Sequence, residues 1–498
     1  MTLDWTIYIS FLGAALLLCI PRLGVRAVRG IALGTVLAGL GVGVGEALRF
    51  PGGGDLVRLV QVPWVPALGF EFHLAADGIS MAMVVLTGLA AVAGVLFSWN
   101  VRDRVREFFI FFLVMIGATY GVFLSFDLFL FFVFYEVVII PKYFLIAIWG
   151  STRREYGAMK LVLYSAVGGA LVLAGLAVVY VQGGASTMDL SLLSAKAIPV
   201  GVQSWLFPLL CVGFGILAGL WPFHTWAPTG HVAAPTAASM LLAGVVMKLG
   251  AYGILRVAIP LCPEGWEAWA PVFGGLSVTG IVVGAFIALA QRDFKFVIGY
   301  SSVSHMGFVL LGLFSLSATG LSGAVMQMFS HGVIAGLLFA VVGRMVYDRA
   351  HTRDLEDLSI LGLGRVLPFA GVTFAIAALA SMGLPGFSGF VAELQVLVGA
   401  WERFAGYAFL AGVGIVLGAG YSLRALQKSF YAEEQAGEGE VGVRVEKFDP
   451  ITVPERLGAV LLISVSLVVG LYPRVLLDWI VPALEGGFFA RVREVMLP

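Results

Sequence analysis

Apolar residues in this chain come in runs of about 20, one after another along its whole length. A helix needs roughly 20 predominantly apolar residues to cross the hydrocarbon core of a bilayer. Fourteen such runs can be read, near 5–21, 30–48, 78–99, 108–125, 127–149, 159–181, 204–226, 231–256, 270–290, 295–314, 321–344, 366–401, 404–424 and 457–473. Of the 498 residues, 60% are hydrophobic and 12% charged, against about 25% charged in a soluble domain. The mean hydropathy is +0.99. The charge deficit extends from end to end, so the chain reads as an all-α polytopic membrane protein rather than a soluble domain with an anchor. It opens on MTLDW, with an acid and no basic segment, which does not read as a cleavable signal.

Lys and Arg divide unevenly between the loops. Those after odd-numbered spans hold 20, those after even-numbered spans together with the C-terminus hold 8, and Lys142 and Lys248 lie inside spans. The positive-inside rule then places both termini on the non-cytoplasmic side. In this count Arg256 closes span 8, and Arg292, Asp293 and Lys295 are interfacial at the start of span 10. The segment from Lys428 to Arg456, rich in Glu and Gly, reads as a solvated cytoplasmic loop, and Tyr472 onward as an interfacial helix. Zero net charge argues against a nucleic-acid partner. Cys19, Cys211 and Cys262 are far apart and lack metal-ligand spacing, so they read as small buried residues, and no metal is expected.

Two spans carry helix breakers. Span 7 contains Gly219 and Pro222 in GFGILAGLWPFHTW, and span 12 contains Gly383, Pro385 and Gly386 in SMGLPGFSGF. Proline removes a backbone donor and clashes with the preceding turn. Interrupted spans at corresponding positions of two halves point to an inverted-repeat transporter. The breaks are five spans apart, an odd number, so spans 4–8 and 9–13 would form two oppositely oriented repeats.

Ionisable residues inside the spans mark charge movement, because a charged side chain at the bilayer centre costs roughly 2.5–3.5 kcal/mol on insertion scales. Glu136 (span 5) and Lys248 (span 8) are the clearest, and both read as proton-relay groups. His305, His331 and Glu393 extend the series, with His224 and His231 as further candidates; histidine titrates near neutrality. Lys142 follows Pro141 and reads as snorkelling toward the cytoplasmic end of its span. HTRDLEDL (351–358) reads as a charged structural or partner-facing loop.

The blocks FFVFYEVVIIPKYFLIAIWG, HTWAPTGHVAAPTAASMLLAGVVMKLGAYGILR, DFKFVIGYSSVSHMGFVLLG, MFSHG, HTRDLEDL and LPGFSGFVAE together resemble the subunit M family of bacterial respiratory complex I, also represented by the mitochondrial NADH dehydrogenase subunit 4. The resemblance covers essentially the whole chain. It implies fourteen helices with two inverted five-helix repeats and broken helices 7 and 12, divided as 1–107, 108–258, 259–431 and 432–498. It further implies a proton-pumping, antiporter-like subunit of the bacterial cytoplasmic membrane without its own cofactor. NADH, FMN, iron–sulfur clusters and quinone then belong to partner subunits, and further antiporter-like subunits of the membrane arm are expected neighbours. Residue by residue, Glu136, Lys248, His305, His331 and Glu393 match the family's relay positions.

One position departs from the family. The lysine usually found in span 7, opposite the span 5 glutamate, falls at Leu217. Lys142 is a candidate substitute. Two other functions share the same core: a multisubunit cation/proton antiporter or a membrane-bound hydrogenase, and a non-pumping scaffold paralogue.

Overall fold

The computed structural model describes residues 2–20, 22–50, 52–431 and 448–496. It is helical almost throughout. Among the described residues, twelve helices are long and apolar enough to cross a membrane. One of them, Ser388–Phe430, is divided by non-helical backbone at Phe404 (φ −135°, ψ 56°), into the second half of span 12 and all of span 13. Two shorter apolar helices, Trp5–Cys19 and Pro368–Ser381, supply span 1 and the first half of span 12. The fourteen expected spans are thereby accounted for. Most of the Glu- and Gly-rich loop, 432–447, lies outside the described residues.

The apolar stretches of spans 8 (Thr236–Leu261) and 11 (Ala318–Ala350) are buried within the chain, and those of spans 3 (Gly78–Phe97) and 10 (Phe294–Leu313) nearly so. Spans 2, 6 and 14 are mostly exposed and form the outer wall. The groups singled out above mostly sit on the buried helices.

Two backbone stitches display the inverted repeat. At the start of span 5 the Leu128 amide donates to the Met188 carbonyl (2.9 Å) and the Leu190 amide to that of Phe126 (2.8 Å). At the start of span 10 the Phe294 amide donates to the Arg353 carbonyl (2.8 Å) and the Leu355 amide to that of Arg292 (2.9 Å). Each stitch brings together two aspartates, Asp127 with Asp189 and Asp293 with Asp354, and all four cap helix N-termini with their side chains. The carboxylates satisfy amides that the first helical turn leaves unpaired. The first stitch joins span 5 to the segment between spans 6 and 7. The second joins span 10 to the segment between spans 11 and 12, five spans later and on the opposite face.

Both breaks fall where expected. Span 7 stops at Ala218; Gly219 turns with φ +83°, and the Trp226 indole donates back across the break to the Ile216 carbonyl (2.7 Å). Span 12 stops at Ser381, with Gly383 and Gly386 at φ +71° and +101°. Only glycine adopts such angles without strain.

Several local expectations are corrected. Arg256 does not close span 8: it is fully buried within it, in a bidentate ion pair with Asp77 (both contacts 2.7 Å), and its Nε donates to the Tyr252 hydroxyl (3.2 Å). Lys295 is not interfacial; it is 2% exposed and donates to the Ala234 carbonyl (3.0 Å) at the join of spans 7 and 8. Cys19 is exposed, because span 1 lies at the rim, whereas Cys211 and Cys262 are buried. Residues 57–76, given no structure from hydropathy, form an antiparallel hairpin of β1 (Val57–Val65) and β2 (Phe70–Ala76), with Gly69 at φ +68° in its turn.

Asp77 also caps span 3, through the Ile79 and Ser80 amides. Its pairing with Arg256 therefore locks spans 3 and 8 together. Replacing Arg256 with Leu leaves a buried carboxylate unpaired, for which about 3–5 kcal/mol of destabilisation is expected. The double variant Asp77→Leu/Arg256→Leu removes both charges and should melt closer to the wild type. Equal melting losses in the single and double variants would contradict this account.

Candidate functional site

Span 8 is an α-helix interrupted by two π turns, Leu242–Val246 and Ile254–Ala258, with Lys248 between them. A π turn displaces carbonyls from their regular partners and recurs at functional sites. Here Lys248 Nζ donates to the carbonyl of Ala243, inside the first π turn. The same Nζ meets His331 Nδ1 of span 11 at 2.6 Å, within hydrogen-bond distance. Lys248 is completely buried and cannot snorkel.

His331 leads on to His305 of span 10: their ring centroids are 5.5 Å apart. A cavity of about 10 Å³ lies among these rings, Gln327, Ser330, Ser381 and Glu393, which is the space one water needs. His305 then contacts Glu393 Oε1 through Nδ1 (3.1 Å) and Ser381 Oγ through Nε2 (3.0 Å). Gln327 Nε2 donates to the same Glu393 oxygen (3.3 Å), and the Tyr421 hydroxyl approaches His305 Nε2 (3.4 Å). Ser381 and Gly383 belong to the span 12 break, and Gly383 leaves room for the carboxylate: a Cβ there would lie 2.8 Å from Glu393 Oε2. The broken helix thus supplies both a hydroxyl and the space beside the acid.

The structure therefore brings Lys248, His331, His305 and Glu393 into one series. Gln327, Ser381 and Tyr421 join it without having been singled out from sequence. Gln327 had a readable signal, since it lies one helical turn before His331 on the same face. Ser381 and Tyr421 had none.

Glu136 stands apart. It is half-buried on span 5, its Oε1 is buried without a hydrogen-bond partner, and it packs on span 6, where a Cβ at Gly169 would come within 2.2 Å of that oxygen. Lys142 does not snorkel: it is 1% exposed, with its Nζ buried and unpartnered, because it points into the protein beyond the turn at Val138 rather than along the lipid face. Leu217 is buried, and the backbone of span 7 beside it packs on Gly250, two residues from Lys248. His224 and His231 are buried but make no direct hydrogen bond to the Lys248–Glu393 series. His224 lies near Tyr300 (6.4 Å) and His231 against Phe339 (5.1 Å), with both His231 nitrogens unpartnered.

Chemically, the series can pass protons and nothing in it is a redox group. Away from it, Glu71, His73 and Asp189 bring metal-ligating atoms within 4.8 Å of one another, although the sequence pattern carried no metal signature.

A family model described as NADH:quinone oxidoreductase/Mrp antiporter, transmembrane, matches residues 125–418. NAD(P)H-quinone oxidoreductase chain 4 1 of a Synechococcus strain is 38% identical, over 82% of this chain and 78% of its own length. A chain of respiratory complex I from Thermus thermophilus with bound NADH superposes with a TM-score of 0.89 at 28% identity, covering 100% of both chains. A chain of the Mrp complex from Dietzia sp. shares the fold, with a TM-score of 0.84 at 21% identity over 99% of each.

Proposed function

The chain belongs to the family of membrane subunits shared by NADH:quinone oxidoreductase and the Mrp antiporter, and from that membership we propose that it is a proton-translocating, non-redox subunit in the membrane arm of a complex I. NADH, FMN, iron–sulfur clusters and quinone are assigned to partner subunits. The observation that carries this reading is the buried series Lys248–His331–His305–Glu393, which runs from the first repeat into the second and ends at a helix break.

In this mechanism Lys248 holds a proton in a dry site and delivers it to His331 Nδ1. One water between the histidines carries it to His305, and Glu393 receives it. Coupled titration makes this a switch, since charge on Glu393 or its loss shifts each neighbour's affinity for protons. Glu136 supplies Lys248 from the first repeat, with Lys142 as its cationic partner in place of the residue at Leu217. We assign 108–258 and 259–431 as the two repeats, preceded by 1–107 and followed by 432–498; the paired aspartate stitches support this division. Both termini lie on the outer side of the bacterial cytoplasmic membrane, as the distribution of Arg and Lys favours. Pro222 and Pro385 are exposed on the isolated chain, and unwound backbone at membrane depth must be covered by protein or line a wet cavity. That favours neighbouring membrane subunits.

Leu217 favours a second reading, a scaffold paralogue that does not pump. Purification from the native membrane in mild detergent separates the main alternatives. Co-purifying iron–sulfur subunits with quinone reductase activity are expected. Hydrogen evolution would instead assign the chain to a hydrogenase, and a colourless assembly of membrane subunits alone to a cation/proton antiporter.

A further inference from the structure

We propose that the hydroxyls of Ser330, Ser388 and Ser466 form a wire that carries protons from the histidine cavity to the outer end of span 14. The inference rests on the relay proposed above, which delivers a proton to Glu393 and leaves its way out unassigned. Ser330 precedes His331 on span 11 and lines the cavity together with Glu393. Its Oγ lies 2.8 Å from that of Ser388, the first helical residue after the break of span 12. Ser388 Oγ lies 3.2 Å from that of Ser466 on span 14 (Val453–Leu471). All three side chains are buried. The string therefore crosses three helices, from the centre of the bundle to its outer wall.

Two features set it apart from ordinary helix packing. Ser10, Ser98 and Ser277 each donate to the carbonyl four residues back on their own helix (2.7–2.8 Å), the usual resort of a buried helical serine. Among the described residues, Ser330 and Ser466 hydrogen-bond instead to another serine hydroxyl. A hydroxyl donates and accepts at once. A hydrogen tied to a backbone carbonyl has no onward partner, whereas hydroxyls bonded in series can pass a hydrogen along and then turn back together. The second feature is that the contact is held in place. Gly470, one turn beyond Ser466, seats span 14 on the backbone of the break: a Cβ there would lie 2.4 Å from the Gly386 carbonyl oxygen. Only a residue without a side chain allows that approach, which keeps Ser466 against Ser388.

The proton balance is simple. Glu393 releases its proton to a water in the cavity, and that water passes one to Ser330 Oγ. The hydrogen of Ser330 moves to Ser388, that of Ser388 to Ser466, and that of Ser466 to water at the outer end of the span. Each hydroxyl finishes with one hydrogen, so one proton crosses and no residue is changed. The remaining distance is short: Ser466 stands five residues before Leu471, about 8 Å along a helix that rises 1.5 Å per residue. Leu471 and Tyr472 are exposed. The adjoining break, with Leu384 and Pro385 exposed, is unwound backbone that requires water or protein cover.

The test measures protons moved per electron in proteoliposomes of the purified assembly, for Ser388→Ala, Ser466→Ala, the double variant and Ser466→Thr. Alanine removes an oxygen and adds no bulk, so assembly is expected and native gels check it. Each alanine variant should lower translocation about tenfold, with quinone reduction unchanged in the presence of an uncoupler. The double variant should lose no more than either single one, because a series is broken only once. Ser466→Thr keeps a hydroxyl and should retain most of the translocation. Normal translocation in both alanine variants would overturn the wire, as would losses that multiply in the double variant, the behaviour of independent packing sites. Lys248→Ala, measured alongside, tells the two failures apart. A loss there beside silent serines leaves the relay standing without this outlet, whereas a normal ratio there removes the relay itself.

Discussion

Replacing Lys248 with Ala is expected to cut coupled proton translocation about tenfold or more while the assembly forms normally. Positioned proton-transfer groups contribute roughly 10²–10⁴-fold, and Lys248 is the only titratable contact of His331 Nδ1 among the described residues. Removing it detaches the first repeat from His305 and Glu393. The fold should tolerate the change, because span 8 is held elsewhere by the Asp77–Arg256 pair, and a buried ammonium is itself costly to desolvate. The measurement is proton uptake into proteoliposomes against quinone reduction by the same preparation, with an uncoupler present to separate electron transfer from pumping. Native gels establish assembly. A normal proton-to-electron ratio in Lys248→Ala would sink the relay.

The spans and their breaks were legible because both are dictated locally. Twenty apolar residues have few alternatives in a bilayer, and Gly219, Pro222, Gly383 and Pro385 interrupt helices whatever surrounds them. The titratable members of the axis were legible for the same reason: in a sequence this apolar, Lys248, His305, His331 and Glu393 stand out by cost alone. That argument identifies which residues are costly to bury but not which of them touch. The 2.6 Å contact of Lys248 with His331 depends on how spans 8 and 11 pack, and packing leaves no mark on hydropathy.

Groups that are cheap to bury went unread. Gln327, Ser381 and Tyr421 complete the surroundings of His305, yet uncharged polar residues are common in helices of every kind. The hairpin at 57–76 was hidden by its two prolines, Pro63 and Pro66, and by its modest length. Its pairing puts His73 beside Asp189, a contact only the tertiary fold creates. Lys142, Arg256 and Lys295 failed for a different reason. Each lies near a span end, where a long side chain can snorkel, and each instead turns inward. Arg256 finds Asp77 and Lys295 finds the Ala234 carbonyl. Lys142 finds no hydrogen bond, which makes it the exception that calls for a function.

Lys142→Leu is expected to reduce translocation to about the level of Glu136→Gln, a loss of roughly tenfold. Glu136 and Lys142 carry opposite charges on one interrupted span, and each has a buried polar atom without a hydrogen-bond partner. Isolated ions in that setting are expensive, so two of opposite sign are retained together when they compensate each other. Leu217 removes the cation that relatives of this fold are expected to carry on span 7, and Lys142 is a buried cation on the same interrupted span as Glu136. If the substitution is a relocation of charge, Leu217→Lys in the Lys142→Leu background should restore most of the lost translocation, whereas Leu217→Lys alone should give little gain. The two positions would then couple in a double-mutant cycle, as groups serving one network do. A silent Lys142→Leu beside a damaging Glu136→Gln would show that Glu136 works without a cationic partner. Silence in both would remove the first repeat from the proton path and leave the chain as a scaffold around the Lys248–Glu393 series.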